Sequence, residues 1–420
     1  MSGSVSAPIL APANVSFSLP EEIRGLLASL PWHLRLERWD ERKVKLLNVK
    51  SGFSRHVVRF VEVDGRRFAI KETSLASARR EYATYVRLRE MELRTLVPVG
   101  VVARNDGTEI VETKIGRQPQ ERIAGYLITE LMEKVVPDSF LFKRGFSKDN
   151  RRRIWDAVIR LFVDMHSCGV YWGDASLANM LIHFSTERVP GLGHRTNLRA
   201  ILADVETVEI HRSITDSLRI ADVEFFIESM HWTEADLKAS GIVRESVITP
   251  SDERFLLETY AERYAIEQEM RWFELATKID VDKLLGDFDV KGYGKVLLKH
   301  INEHKWYLSE RRAAEVPLAE AASEWYRDIF QPVCNVFTQY GFLDFFPERT
   351  AASLYVEIME HKYLMSERAR RDVGLITAAK DYAKRFAKEA PPATTIRSML
   401  AELRALLRQL PLPLQSIYHA

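Results

Sequence analysis

Residues 74–93, "SLASARREYATYVRLREMEL", hold the feature that most constrains this chain. Ala78, Glu81, Tyr85 and Leu88 recur at three- and four-residue spacing and so share one helical face. That arrangement puts a carboxylate inside an apolar stripe, which is costly unless a partner neutralises it. The available partner is Lys71, ten residues upstream in "FAIK". In a strand, Phe68 and Ile70 point to one face, and Ala69 and Lys71 to the other. A small residue beside a lysine leaves room for a flat ring on the sheet, with an amine placed to reach that ring's phosphates. The plainer alternatives are a Glu81 that snorkels at the stripe edge and a strand with one exposed lysine.

At 420 residues the chain is long enough for two or three domains. Lys+Arg (60) and Asp+Glu (59) nearly cancel, so no global charge argues for nucleic acid or a membrane surface as partner. Cys168 and Cys334 are too few and too far apart for a disulfide framework, and no Cys-x-x-Cys pair suggests structural zinc. No apolar run approaches the ~20 residues of a spanning helix. No basic amphipathic stretch supports stable membrane insertion. "MSGSVSAPILAPANVSF" lacks the basic and long apolar regions of a signal peptide, so a cytoplasmic location is expected.

Residues 1–30 begin with a Ser/Ala/Pro-rich stretch and are expected to form a flexible arm. "KVKLLNV", "HVVRFVEV" and "RRFAIKE" read as strands, the last two joined by the turn Asp64-Gly65. A Ser-capped helix follows over residues 74–93. "LVPVGVVA" and "AGYLITELM" supply two more strands, making a five-stranded α+β lobe over 31–130. From about 147 the pattern is helical. "SKDNRRRIWDAVIRLFVDMHSCG" spaces Ile154, Val158, Leu161, Phe162 and Met165 on one face, and Gly169 ends it. "MLIHF" and "RAILADVETVEI" read as a strand pair separated by the polar loop "STERVPGLGHRTN". This second part is expected over 131–235, a helical domain over 236–390 and a tail over 391–420. The helical domain contains an internal repeat. "INEHKWYLSERRAAEVPLAEAASEWYRDIF" from Ile301 matches "IMEHKYLMSERARRDVGLITAAKDYAKRFA" from Ile358 at one constant spacing, which predicts a duplicated helical hairpin.

The chemistry concentrates in "YWGDASLANMLIHF", residues 171–184. Asp174 lies on a loop between helix and strand, where it could accept a proton from an attacking hydroxyl. Asn179, five residues on, could offer its amide oxygen to Mg²⁺, and Asp204 emerges from an apolar strand as a charged ligand. Gly52 and Ser54 in "KSGFSR" form either a hairpin turn or a short loop whose N–H groups fold over phosphates.

The ordered set Lys71, Glu81, Asp174, Asn179 and Asp204 resembles the protein-kinase-like fold. "FAIK" stands at its strand-three lysine, "GDASLAN" at its catalytic loop and "DVE" at its metal-binding triplet. "GVYWGDASLANML", "LADVETVE" and the "HKWYLSER" block are similar to an uncharacterised bacterial family grouped with lipopolysaccharide (Kdo-type) kinases. The resemblance runs from about residue 33 to about 390. It implies a bilobal fold with a five-stranded N-lobe, a helical C-lobe and a C-terminal helical extension. It also implies ATP and Mg²⁺ as cofactors. Lys71 would be the phosphate ligand with Glu81 its partner, Asp174 the base, and Asn179 and Asp204 the metal ligands. Ala69 would lie on the adenine, and the strand end from Glu130 to Met132 would be the hinge. The chain departs from the pattern in three places. The catalytic-loop His is missing near Trp172 and Gly173, most of the loop glycines are gone, and the Asp204 triplet lacks Phe and Gly. These departures favour an atypical small-molecule kinase over a protein kinase, acting on a hydroxyl of a sugar, a lipid headgroup or a partner protein. Two alternatives stay open: a nucleotide-binding pseudokinase serving as an interaction module, and a nucleotidyl transferase on the same fold.

Three smaller features have two readings each. Arg151–Arg153 is either a solvated helix start or a site for an anionic acceptor. The Glu-His pairs of "EHKW" and "EHKY" are core contacts, or metal ligands short of a third partner. The repeated "SER" predicts a shared cap, with Ser309 or Ser366 opening a helix, or a docking surface.

Overall fold

Alternation in "RRFAIKETS" is realised as a central strand of an antiparallel sheet, with Phe68 and Ile70 fully buried. The computed structural model describes residues 14–49, 56–113, 116–137, 147–189, 193–279, 293–346, 349–389 and 391–409. Two compact units divide the chain, Met1–Glu262 and Arg263–Ala420.

The first unit opens with a five-stranded sheet of β1 (Val15–Ser18), β2 (Val58–Val63), β3 (Arg66–Ser74), β4 (Pro98–Thr113) and β5 (Gly116–Glu130). The strand order is β1-β4-β5-β3-β2 and every pair is antiparallel. Asp64 and Gly65 both take positive φ (47° and 78°), the geometry of the tight β2–β3 turn. The fifth strand differs from the expected one. "KVKLLNV" contributes only a bridge between Leu46 and Val61 beside β2, and β1, from within the supposed arm, pairs with the outer edge of β4. After β1 comes α1 (Glu21–Leu27). Ile23, Leu27, Trp32 and Trp39 share one core with Phe68, Ile70 and Tyr126. Trp32 meets Trp39 and Tyr126 edge-on, at ring separations of 5.3 and 5.4 Å. A sheet with two apolar faces needs a cover on each, and the N-terminal segment supplies one of them.

Helix α2 (Leu75–Glu90) packs against β4 and β5. Ser74 caps it by accepting the N–H of Ser77, and its buried residues are Ala78, Glu81, Tyr85 and Leu88. The close approach requires glycine at 125, because a Cβ there would stand 2.6 Å from the Leu75 backbone. Beyond β6 (Val135–Pro137), α3 (Lys148–Ser167) buries the expected stripe and is capped by Ser147. It is followed by β7 (Val170–Tyr171), β8 (Met180–Val189), β9 (Gly193–Leu202) and β10 (Glu209–Ile210). β8 and β9 pair from Met180↔Leu202 out to Val189↔Gly193, so most of the expected polar loop is ladder. α4 (Asp216–Ala239) comes next, and α5 (Pro250–Thr277) contains the boundary between units.

In the second unit the repeat is two helical hairpins, α6 (Tyr293–Arg312) with α7 (Leu318–Trp325), and α9 (Ala351–Ala369) with α10 (Gly374–Phe386). Between them lies α8 (Gln331–Gln339), and α11 (Ala393–Gln409) follows. The serines of the repeated "SER" lie in last turns rather than opening helices. Ser309 Oγ accepts the Val316 N–H and Ser366 Oγ accepts the Val373 N–H. Just beyond each helix, Ala313 and Arg370 take the left-handed conformation (φ 51° and 50°). Lys305 pairs with Glu315 and Lys362 with Asp372 across the same turns. His361 bonds Asp381 at 2.8 Å. Its counterpart His304 is buried with neither ring nitrogen bonded. The equivalent carboxylate, Glu324, is held by Arg312.

Burial, helped by Lys299 and Lys362, pushes the His300 imidazole down to about 4. Burial also lowers His304, against the pull of Glu324 and Asp328. His300 is therefore neutral in the fold near pH 6, while the unfolded chain takes up protons below about 6.5. Stability should fall as pH drops from about 6.5 to about 4, by about 3 kcal/mol from His300 alone. Urea unfolding at pH 7 and 4.5, resolved by hydrogen exchange in α6, measures this. His300→Phe should flatten the dependence.

Candidate functional site

Lys71 Nζ lies 2.9 Å from Glu81 Oε2 and 3.5 Å from Asp204 Oδ2. A third carboxylate, Glu206, stands at 3.9 Å. β3 and α2 bring the first two residues together across their short connection, and the loop after β9 brings the other two. Glu81 is only 1 % exposed. Burial pushes its carboxyl up against the pull of Lys71. Burial also works against the lysine's charge, but Asp204, Glu81 and Glu206 together hold its pKa above the usual value. Oε1 of Glu81 is buried with no hydrogen-bond partner.

These groups line a cavity of about 820 Å³ in the first unit, together with Ala69, Glu130, Met132, Asp174 and Asn179. Ala69 sits opposite Thr129 in the ladder. The N–H groups of Glu130 and Leu131 donate to Val97 O and Arg67 O, and the Glu130 side chain pairs with Arg66. Gly52 and Ser54 lie outside the described residues.

The loop carrying Asp174 is held chiefly by Asp222, a residue sequence reasoning passed over. Its carboxylate, 1 % exposed, accepts the N–H groups of Trp172 (2.7 Å) and Gly173 (2.8 Å). His166 Nε2 lies 3.2 Å from the same carboxylate, and Tyr260 Oη 2.6 Å from His166 Nδ1. Burial lowers the imidazole's pKa against the pull of Asp222. The carboxylate can only accept, so Nε2 carries a proton towards it, and in the neutral ring Nδ1 then accepts from Tyr260. Asp222 shares the buried face of α4 with Val223, Phe226 and Met230. A carboxylate inside an apolar stripe was again the available signal.

Gly173 answers why glycine precedes Asp174. Its φ is +80°, and a Cβ would lie 3.1 Å from Thr207 O. Trp172, in the region where the kinase pattern has its catalytic-loop His, is fully buried and donates its indole N–H to Asp204 O at 3.3 Å. Thr207 Oγ1 donates back to Trp172 O, and Ala203 N donates to Asn179 O. The two loops thus form one hydrogen-bonded unit. The Asn179 amide nitrogen donates to Asp174 O at 3.1 Å, which leaves its oxygen as the atom available to a cation. Among the described residues no three His, Cys, Asp or Glu side chains form a ready-made metal cage. Asn179, Asp204 and Glu206 all line the same cavity.

The arginines at the start of α3 are engaged within the first unit. Arg151 pairs with Asp252, Arg152 lies over the Phe255 ring, and Arg153 donates to Thr196 O.

Comparison with known proteins places this geometry in context. A family model described as a domain of unknown function, DUF4032, matches residues 319–387, within the second unit. Among curated proteins, the tRNA-specific 2-thiouridylase MnmA of Lachnoclostridium phytofermentans is 25 % identical over 126 residues, which is 26 % of this chain and 35 % of that protein. The chain thus spans about a third of the curated relative's length. Among solved structures, WaaP in complex with acyl carrier protein is similar at 20 % identity and a TM-score of 0.38, over 62 % of this chain and 93 % of that one. The Rio2 kinase from Chaetomium thermophilum is similar at 12 % identity and a TM-score of 0.31, over 50 % and 63 % of the two chains. The BubR1 kinase domain is similar at 12 % and 0.27, over 42 % and 49 %. No helix among the described residues is long and apolar enough to cross a membrane.

Removing Lys71 alone strands Glu81 in its stripe. Lys71→Met should destabilise the first unit by about 3–5 kcal/mol at neutral pH. The loss should shrink as pH falls, because burial already raises the Glu81 carboxyl and its protonation removes the stranded charge. Lys71→Met with Glu81→Leu should recover most of it, as urea unfolding of the three variants will show. For Asp222→Ala, faster amide exchange is expected at Trp172 and Gly173.

Proposed function

We propose that this chain is an ATP- and Mg²⁺-dependent phosphotransferase acting on a hydroxyl. The observation that carries this reading is the convergence on one cavity of a buried Lys71–Glu81 pair, Asp204, Asn179 and a backbone-clamped Asp174. A structural ion pair would need no cavity beside it. A plain turn would not need Asp222, Trp172 and Thr207 to hold Asp174 in place.

Each residue has a definite task in this reading. Lys71, kept charged by the carboxylates around it, meets the nucleotide's phosphates as a point charge while Glu81 fixes its direction. Ala69 leaves space for the adenine on the sheet, and the strand end at Met132 presents backbone groups to its edge. Asn179 and Asp204 are the oxygen donors that would hold Mg²⁺, which when bound neutralises phosphate charge. Asp174 accepts the proton of the attacking hydroxyl. Catalysis is then positioning plus charge stabilisation.

The acceptor is a small molecule in this reading. α4 borders the cavity with Phe225, Trp232, Thr233 and Asp236, next to the loop of Asp174. The half-exposed Trp232 is fixed edge-on by Phe225 at 5.5 Å.

The test is thermal stability with and without ATP and Mg²⁺, joined to transfer of label from γ-labelled ATP. Nucleotide at about a hundred times its Kd should add ~2.7 kcal/mol. Lys71→Ala and Asp204→Ala should abolish the shift. Asp174→Ala should keep it and lower turnover by more than about tenfold, ~1.4 kcal/mol of barrier. Binding without turnover would support the interaction-module alternative, and label arriving from the α-position would mean nucleotidyl transfer. A metal-dependent shift absent from the wild type would overturn the reading.

A further inference from the structure

Three carboxylates surround a single ammonium. Glu81, Asp204 and Glu206 lie 2.9, 3.5 and 3.9 Å from Lys71 Nζ, and Asp174 lines the same cavity. Among the described residues, the other basic groups that line the cavity are His56, whose Nε2 is 3.6 Å from Glu206, and Arg59, whose Nε donates to Leu36 O at 3.1 Å. A polyphosphate entering alone would meet an excess of like charge in a partly desolvated cleft.

The carboxylates are not equivalent. Glu81 is sealed beneath Lys71, its second oxygen facing no protein donor. Glu206 is 41 % exposed at its side chain, and its own N–H donates to Asp204 Oδ1 at 3.0 Å. That bond turns the loop so that Asp204 and Glu206 present their carboxylates to the same part of the cavity. Its Oε2 meets His56 and Lys71 at longer range, 3.6 and 3.9 Å.

Resting on the phosphotransferase reading, we propose that Glu206 is a metal-directed ligand. With Asn179 and Asp204 it would hold the divalent cation that accompanies the nucleotide, so that the cleft takes nucleotide only as its metal complex. Glu206 occupies the triplet position where the protein-kinase pattern has glycine, which can offer no such ligand.

The experiment uses the full chain, Mn²⁺ as the metal and AMPPNP as a non-hydrolysable nucleotide. Bound Mn²⁺ is read from loss of the free-ion electron paramagnetic resonance signal. AMPPNP binding is read by calorimetry with Mn²⁺ and in EDTA. Glu206→Gln should weaken Mn²⁺ binding in the ternary complex by about tenfold or more. The same variant should tighten metal-free AMPPNP binding, because a negative charge beside the phosphates has gone. Glu206→Asp should recover part of the Mn²⁺ affinity. Opposite signs with and without metal establish the ligand role, since a merely structural residue would weaken both. Equal Mn²⁺ affinity in wild type and Glu206→Gln, or losses of the same sign in both conditions, overturns the Glu206 assignment and leaves the phosphotransferase reading standing. A wild type that binds no AMPPNP under either condition overturns both.

Discussion

A carboxylate buried in an apolar helix face can persist only beside its countercharge, and the first unit is arranged around that requirement. Glu81 enters the stripe of α2 because Lys71 leaves β3 on the matching face, 2.9 Å away. The pairing fixes how α2 lies on the sheet, and Gly125 permits the approach where any side chain would collide. Tyr85, one turn on from Glu81, carries the constraint further by donating its hydroxyl to Ala203 O at 2.6 Å. The loop bearing Asp204 and Glu206 is thus anchored to the same helix that supplies Glu81. Desolvation works against this pair, so its presence points to positioning of charge rather than to stability.

The loop of Asp174 uses the same device. Asp222, buried on α4, accepts two successive backbone N–H groups and the imidazole of His166. A loop has no ladder to satisfy its backbone, and a buried carboxylate with three donors replaces one. Departures from the protein-kinase pattern become intelligible in this frame. Trp172 fills the space beneath the loop and joins it to Asp204 through the indole N–H. Glu206 brings one more carboxylate to the lysine.

Duplication in the second unit shows how a shared pattern diverges by one competitor. Both hairpins keep the serine that closes the turn, the left-handed residue after the helix and the lysine–carboxylate pair across it. They differ at the histidine. Arg312 captures Glu324 in the first copy, leaving His304 without a hydrogen bond. The second copy has Ala369 at the matching place, and His361 reaches Asp381. DUF4032 covers α7 to α10, so the family model spans the end of one copy and the whole helical part of the next from α9 onward.

Local pattern alone determined a good deal: the alternation of β3, the Asp64-Gly65 turn, the Ser74 cap, the stripes of α2 and α3, and the repeat. Each depends on residues a few positions apart, where period and capping chemistry act without tertiary help. Lys71 and Glu81 could be paired because one short connection separates them. Asp174, Asn179 and Asp204 could be ordered along the chain, but their meeting at one cavity could not be derived from spacing. The N-terminal segment was misread for the same reason. Its Ser/Ala/Pro composition suggests a loose arm, yet Val15–Ser18 finds a free edge of β4 and Ile23 and Leu27 join the core on one face of the sheet. Likewise the polar stretch after β8 became ladder because β9 lay opposite to satisfy its backbone. Asp222 belonged to no local motif, and Glu206 stood in the "DVE" triplet with no role of its own. Only folding, by bringing segments some fifty and over a hundred residues apart into hydrogen-bonding or ion-pairing range, decided that one would hold the loop and the other would face the lysine.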